Sequence, residues 1–201
     1  MNFPSKLVEN AVEQLSSLPG IGKKSALRLV LHMLNKDKIT VEQFGDSFIQ
    51  LINRINYCTR CYSISDTDLC EVCSNPKRDT ETICIVEDIR VMMAIENTMQ
   101  FRGVYHILGG LISPMDGVGP TDIRVDELIN RITSENVKEV IFALSTTMEG
   151  DTTNFYLFRR LKDFNIKISS IARGIAIGDE LEYTDEITLG TAISSRMPYT
   201  E

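Results

Sequence analysis

Three groups of side chains in this sequence have the types and spacing to do chemistry. Cys58-Thr59-Arg60-Cys61 and Cys70-Glu71-Val72-Cys73 are two C-x-x-C knuckles separated by eight residues. Four thiolates at this spacing can close a tetrahedron around zinc and leave no open position, which is the pattern of a structural site. The spacer is shorter than the ~15–20 residues of a zinc ribbon, so a smaller finger is expected. Disulfides or a redox C-x-x-C are the alternatives, and two pairs this close favour shared ligation over either. Too few apolar residues lie between 57 and 76 for that stretch to hold a core of its own, so a metal would have to order it.

The second group is Leu18-Pro19-Gly20-Ile21-Gly22-Lys23-Lys24-Ser25-Ala26. Gly20 and Gly22 permit a tight turn and a close backbone approach. The helix that follows offers an N-terminus, which favours an anion. Lys23 and Lys24 in its first turn oppose the helix dipole, and a bound phosphate would offset that cost. Arg28 falls on the same face as Lys24, four residues on. The string lacks the G-x-x-x-x-G-K-[ST] order of a nucleotide P-loop. It resembles the helix-hairpin-helix motif of proteins that grip DNA phosphates without reading bases; an ordinary helical corner with exposed lysines is the alternative.

The third group is acidic. Glu87 and Asp88 end one apolar run, and Glu149-Gly150-Asp151 follows another. In a parallel sheet such positions converge at the carboxyl ends of the strands. Glu87, Glu149 and Asp151 could there share a magnesium ion, or they could cap helices and form salt bridges. An acid after one strand and an acidic pair after a later one looks like the Toprim fold, with D-x-D altered to Glu149-Gly150-Asp151. A topoisomerase would also need a tyrosine nucleophile; Tyr105 and Tyr156 are present but sit in no motif. His32 and His106 each stand alone and read as structural, and Cys84, inside an apolar run, reads as inert core.

The elements that must position these groups are legible in the periodicity. Residues 5–17 and 23–34 are expected to be helices around the hairpin, and Val41, Phe44, Phe48, Leu51, Ile52 and Ile55 mark a third. Strands are expected at 82–86, 105–108, 139–144 and 167–171, alternating with helices at 89–98, 125–133 and 153–164, hence a parallel sheet with right-handed crossovers. A last helix is expected near 187–195. The fold class is therefore multidomain α plus α/β. Boundaries are expected at 1–55 for the helical module, 56–78 for the finger, 79–173 for the sheet domain and 174–201 for an acidic segment and helix.

Composition sets the outer limits. The 201 residues are 43% hydrophobic and 24% charged, with a net charge of -7, which fits a globular chain and excludes collagen, long disorder and disulfide scaffolds. No apolar run approaches the ~20 residues of a membrane helix, and the amino-terminal stretch does not resemble a signal h-region, so a cytoplasmic protein is expected. Residues 1–62 hold eight Lys/Arg against five acids; the remainder holds 13 against 23. The basic end is the one that could meet phosphate.

Hairpin, four-cysteine finger, Toprim-like domain and acidic tail, in this order and length, resemble the RecR family of bacterial recombination mediators. Further strings carry the resemblance: Gly109-Gly110-Leu111-Ile112-Ser113-Pro114, Asp116-Gly117-Val118-Gly119-Pro120, Ile171-Ala172-Arg173-Gly174 and Leu181-Glu182-Tyr183-Thr184-Asp185-Glu186-Ile187-Thr188-Leu189-Gly190. The resemblance implies a DNA-binding scaffold with no catalytic residues. Such a scaffold assembles as a dimeric or tetrameric ring-like clamp, is bacterial and nucleoid-associated, and binds gapped, single- and double-stranded DNA without sequence preference. With RecO, and often RecF, it would help load RecA onto single strands in recombinational repair. It also implies Gly20, Gly22, Lys23, Lys24 and Arg28 as DNA contacts, and Cys58, Cys61, Cys70 and Cys73 as ligands of one structural Zn2+. Glu87, Glu149 and Asp151 would be a RecO-docking surface, with Mg2+ there as an alternative. Leu181–Glu186 matches a segment likened to a Walker B motif, but with no phosphate loop no ATP hydrolysis is expected. Two positions depart from the family pattern. Gly178-Asp179-Glu180 replaces a Gly-Gly pair, so residues 174–190 carry five acids and no base, which argues against DNA contact there. Lys23 stands where proline is common and adds to the phosphate grip. The competing readings are a magnesium-dependent Toprim enzyme that cuts DNA and a zinc-bearing adaptor whose acidic tail binds a basic partner.

Overall fold

The computed structural model describes residues 3–198; Met1 and Asn2, part of the amino-terminal stretch read above, and residues 199–201 lie outside it. The chain forms two compact units, 1–55 and 56–201.

In the first unit, α1 (Lys6–Ser16) and α2 (Lys23–Leu34) form a hairpin, and α3 (Lys38–Arg54) follows. Side-chain caps fix where two of these helices begin. Ser5 caps α1 by accepting from the Leu7 amide, and Asp37 caps α3 by accepting from the Thr40 amide. Val12, Ala26 and Val30 are the buried centre of the hairpin, with Val8, Leu15, Ile21 and Leu27 packed around them. The third helix forms as its period predicts, but none of its residues is buried. Phe44 and Phe48 touch edge to face at 5.2 Å, with Phe48 55% and Ile52 77% exposed.

The second unit begins with a short hairpin, β1 (Asn56–Tyr57) paired to β2 (Ile64–Ser65), and one turn of helix, α4 (Glu71–Ser74). Then follow β3 (Asp79–Val86), α5 (Ile89–Asn97), β4 (Gly103–Ile107), α6 (Val125–Ser134), β5 (Glu139–Ala143), α7 (Met148–Leu161) and β6 (Lys167–Ser170). The four long strands make one all-parallel sheet in the order β4-β3-β5-β6. Ile83, Ile85, Val86, Val104 and Val140 are fully buried in it, as expected of strands covered by crossover helices. Because β4 and β5 flank β3 on opposite sides, the chain reverses direction of winding at the carboxyl ends of β3 and β5. That is where a parallel sheet opens a crevice. After β6 the chain runs through a short turn at Leu181–Tyr183 into α8 (Glu186–Ser194), and no residue from 171 to 198 is buried.

The expected elements are present, with one shift that matters. The apolar period places a helix at 153–164, whereas α7 begins at Met148, capped by Thr147, whose hydroxyl accepts from the Gly150 amide. Glu149 and Asp151 thus sit in the first helical turn, where a carboxylate favours the dipole. Gly150 between them is required by space. A Cβ there would lie 1.9 Å from the Ser145 carbonyl oxygen. Gly150→Ala is therefore expected to destabilise the protein by about 1–3 kcal/mol in urea unfolding. Gly190→Ala, in α8 with nothing within 4 Å of the added carbon, should be neutral or stabilising by up to about 1 kcal/mol.

Candidate functional site

The cysteine quartet is built into the core of the sheet domain. Cys58 and Cys61 are 0% exposed, Cys70 6% and Cys73 8%, and they belong to the same buried cluster as the strands. All four are free thiols, so the disulfide alternative is not realised. Their sulfurs lie within 4.8 Å of one another, with Cys61 and Cys70 at 3.5 Å. A tetrahedron with metal–sulfur bonds of about 2.3 Å has edges of about 3.8 Å, so the donor set fits a zinc ion. The sulfurs perturb one another strongly. Hydrogen bonds from Cys61 and Cys73 pull the Cys70 thiol down, and the same contact with Cys70 pushes Cys61 up. Four thiolates at this spacing can coexist only around a cation.

Local geometry shapes each knuckle. The Cys58 amide donates to Ser63 O at 2.7 Å, and the amide of Tyr62, in the left-handed region at φ 65°, donates to Cys58 O at 2.9 Å. Cys70 caps α4, its sulfur accepting from the Cys73 amide at 3.5 Å.

The finger is fastened to the sheet by groups that no local motif announces. The Ile107 amide of β4 donates to Cys61 O at 2.9 Å. Arg60, between the first two cysteines, donates from Nε and Nη2 to Glu135 at 2.9 and 2.8 Å. Arg131 is 6% exposed; it donates to Glu135 at 3.2 Å, to Tyr105 O at 2.7 Å and to Arg60 O at 3.4 Å. On another side Arg78 pairs with Glu96, which also accepts the Tyr105 hydroxyl at 2.6 Å. Tyr105, considered as a nucleophile, is thus fully buried with its hydroxyl engaged, and burial with Glu96 pushes its pKa up. The Tyr156 hydroxyl accepts from Arg160 at 2.7 Å. His106 is also fully buried; its Nε2 bonds Arg124 O at 2.7 Å, and burial lowers its pKa to about 4, consistent with a structural role. Cys84 is 3% exposed, and burial pushes its thiol up to about 12.

The acidic group behaves differently from the cysteines. Asp88 caps α5 through the Arg90 and Val91 amides at 2.8 and 3.2 Å. Glu87 and Glu149 are half-buried near the crevice, but Asp151 is turned to Arg173, whose guanidinium holds its carboxyl below the usual range. Among the described residues, Glu87, Glu149 and Asp151 do not form a group with donor atoms within 4.8 Å, as the cysteines do. The magnesium alternative gains no support.

In the helical unit the hairpin turn has the conformation its residues dictate. Pro19 and Gly20 occupy the centre of a turn closed by the Ile21 amide on Leu18 O at 3.2 Å, with Gly20 at φ 80°. Gly22 is the N-cap of α2 and supplies no side-chain acceptor, and the first turn holds no acid. The leading amides of α2 therefore face outward beside Lys23 and Lys24. Lys23, Lys24 and Arg28 are exposed, and none is in an ion pair among the described residues.

A helical hairpin with a bare basic N-terminus, a four-cysteine finger and a parallel-sheet Toprim domain define a multidomain chain of the DNA-handling type. Family models match each part: a Toprim domain over 81–172, and the helix-hairpin-helix, four-cysteine zinc-finger and C-terminal regions of RecR over 8–51, 55–75 and 174–197. The recombination protein RecR of Bacteroides thetaiotaomicron is 58% identical over 198 residues, covering 98% of this chain and 97% of that one. Those of Bacteroides fragilis and Flavobacterium psychrophilum are 56% and 54% identical over 98% and 99% of this chain, which cover 97% of each. The chain belongs to the RecR family. No helix among the described residues is long and apolar enough to cross a membrane.

The clamp formed by Arg60, Glu135 and Arg131 generates a pH prediction. Burial alone would raise the Glu135 carboxyl, but the Arg60 hydrogen bond and the charge of Arg131 outweigh it and hold it below its ordinary value of 4.5. A depressed folded pKa contributes stability that is fully present above the unfolded pKa and is lost as pH falls through the folded one. Glu135→Gln should therefore cost about 2 kcal/mol at pH 7. The gap to the parent protein should narrow below pH 4.5, as urea titrations at both pH values will show.

Proposed function

We propose that this chain is a non-enzymatic DNA clamp of recombinational repair that acts with RecO, and with RecF, to help load RecA onto single strands at gaps. The observation that carries this reading is the uncapped N-terminus of α2, flanked by Lys23, Lys24 and Arg28 with no acid in its first turn. Outward amides and unpaired cations match a phosphate backbone and read no bases. Gly20 and Gly22 let that backbone approach. Cys58, Cys61, Cys70 and Cys73 hold one structural zinc, whose chemistry is the ordering of the finger and whose closed ligand set leaves no place for substrate. Glu87, Glu149 and Asp151 serve as a docking surface for RecO. The exposed apolar side chains of α3, together with Ile177, Leu181, Ile187 and Ile193 of the tail, suit contacts between copies in a ring.

An end-labelled gapped duplex incubated with zinc-loaded protein and magnesium tests the reading, with each sample split between native and denaturing gels. A shifted but intact strand is expected; a cut strand abolished by Glu87→Ala would establish the Toprim enzyme instead. Lys24→Ala with Arg28→Ala should weaken duplex binding and flatten the log–log salt dependence by up to about two. Unchanged affinity and slope would remove the hairpin as the contact. Elemental analysis should find about one zinc per chain.

A further inference from the structure

We infer that the outer face of α7 is a binding surface for single-stranded DNA, in which Phe155 and Phe158 stack on bases and Arg159 and Lys162 meet phosphates. This rests on the clamp reading above and adds a second contact, in the Toprim domain, to the hairpin.

The helix α7 packs against the sheet through Gly150, Thr153, Leu157 and Leu161. Its opposite side carries Phe155 and Phe158, 64% and 49% exposed. Residues three and four apart share a helix face, so Phe155, Phe158, Arg159 and Lys162 form one continuous stripe. The two rings are offset by about 4.5 Å along the axis. A single exposed phenylalanine is ordinary on a protein surface; the dipole of α7 favours cations in its last turn but does not account for two adjacent exposed rings beside them.

The cations distinguish this stripe from a plain apolar patch. Arg160, one position on, is held by Asp126 at 2.8 Å and donates to the Tyr156 hydroxyl. Arg159 has no carboxylate partner among the described residues, and its guanidinium lies over the Phe155 ring at 5.8 Å. Lys162, the C-cap of α7, is likewise exposed and in no ion pair among the described residues. Asp163 is the nearest acid in sequence, past the helix end, and Glu149 and Asp151 lie in the first turn, at the other end of the helix. In a chain of net charge -7, an aromatic pair backed by cations with no carboxylate partner among the described residues matches a strand with exposed π faces and a charged backbone. A second copy of the chain fits less well, because a two-fold contact through the stripe would bring like charges together. Duplex DNA keeps its bases stacked and offers the rings nothing.

The test uses full-length, zinc-loaded protein, a fluorescein-labelled oligo-dT and a labelled duplex of equal length, with molecular mass followed by light scattering. Three double variants are compared with the unsubstituted chain: Phe155→Ser with Phe158→Ser, Arg159→Gln with Lys162→Gln, and Lys24→Ala with Arg28→Ala. All six positions are exposed, so folding should persist. The phenylalanine pair should lose at least about 10-fold in oligo-dT affinity, given about 5- to 150-fold per stacked base, with duplex affinity moving less than about 2-fold. The Arg159/Lys162 pair should reduce the single-strand salt slope by about 1.4. Undiminished oligo-dT binding by the phenylalanine variant overturns the proposal. So does an absence of oligo-dT binding by the unsubstituted protein, or a change of mass in the phenylalanine variant, which would mark a self-contact. Loss in the hairpin variant alone refutes this surface and leaves the clamp reading intact; loss in the α7 variants alone does the reverse for the hairpin contact.

Discussion

The sheet domain depends on how four sulfur atoms are placed inside its core. Their burial beside β4 and α4 means the finger is not an appendage: the residues that would hold the metal also fill the hydrophobic interior. Bringing four ionisable sulfurs within 4.8 Å is unfavourable unless a cation sits among them. Metal, finger and sheet are therefore linked, and the Arg60–Glu135–Arg131 contacts are what transmit that link across the junction. Two guanidiniums share one carboxylate there. The surplus positive charge lies beside a centre that would be a dianion when zinc is bound, and the signs are complementary.

The helical unit is organised on the opposite principle. Its hairpin has a small core of three buried residues, and its characteristic feature is what it leaves unsatisfied. The amides at the start of α2 have no side-chain cap, and the lysines there have no carboxylate among the described residues. In an isolated chain both are small costs, and an anion at that helix end would relieve both.

What can be read from the sequence is what is local. The cysteine spacing, the Pro-Gly turn and the helical and strand periods each involve residues close in the chain, and the architecture they predict is the one observed. The start of α7 escapes that reading because the helical pattern legible in the sequence spans only 153–164, whereas the helix is opened by a hydroxyl cap at Thr147. The arginine–glutamate clamp is not legible at all. Arg60 and Glu135 are 75 residues apart, and a lone arginine between two cysteines carries no signal of its distant partner. The acids show the same limit from the other side. Their place at the strand ends follows from topology, but the capture of Asp151 by Arg173 is a tertiary event that redirects one carboxylate of the three.

The order of the strands has a consequence for how the chain is made. The central pairing joins β3 to β5, so the sheet cannot close until the chain through Ala143 is available, and a parallel pairing over that distance carries a large loop-closure cost. The fourth cysteine precedes that point by about 70 residues. On an emerging polypeptide, the quartet and Arg60 are thus in place while the strand that seals the core, and Arg131 and Glu135 of the clamp, are still to come. Metal capture can precede docking, and the loaded finger then presents β4 with a preformed surface on which to assemble.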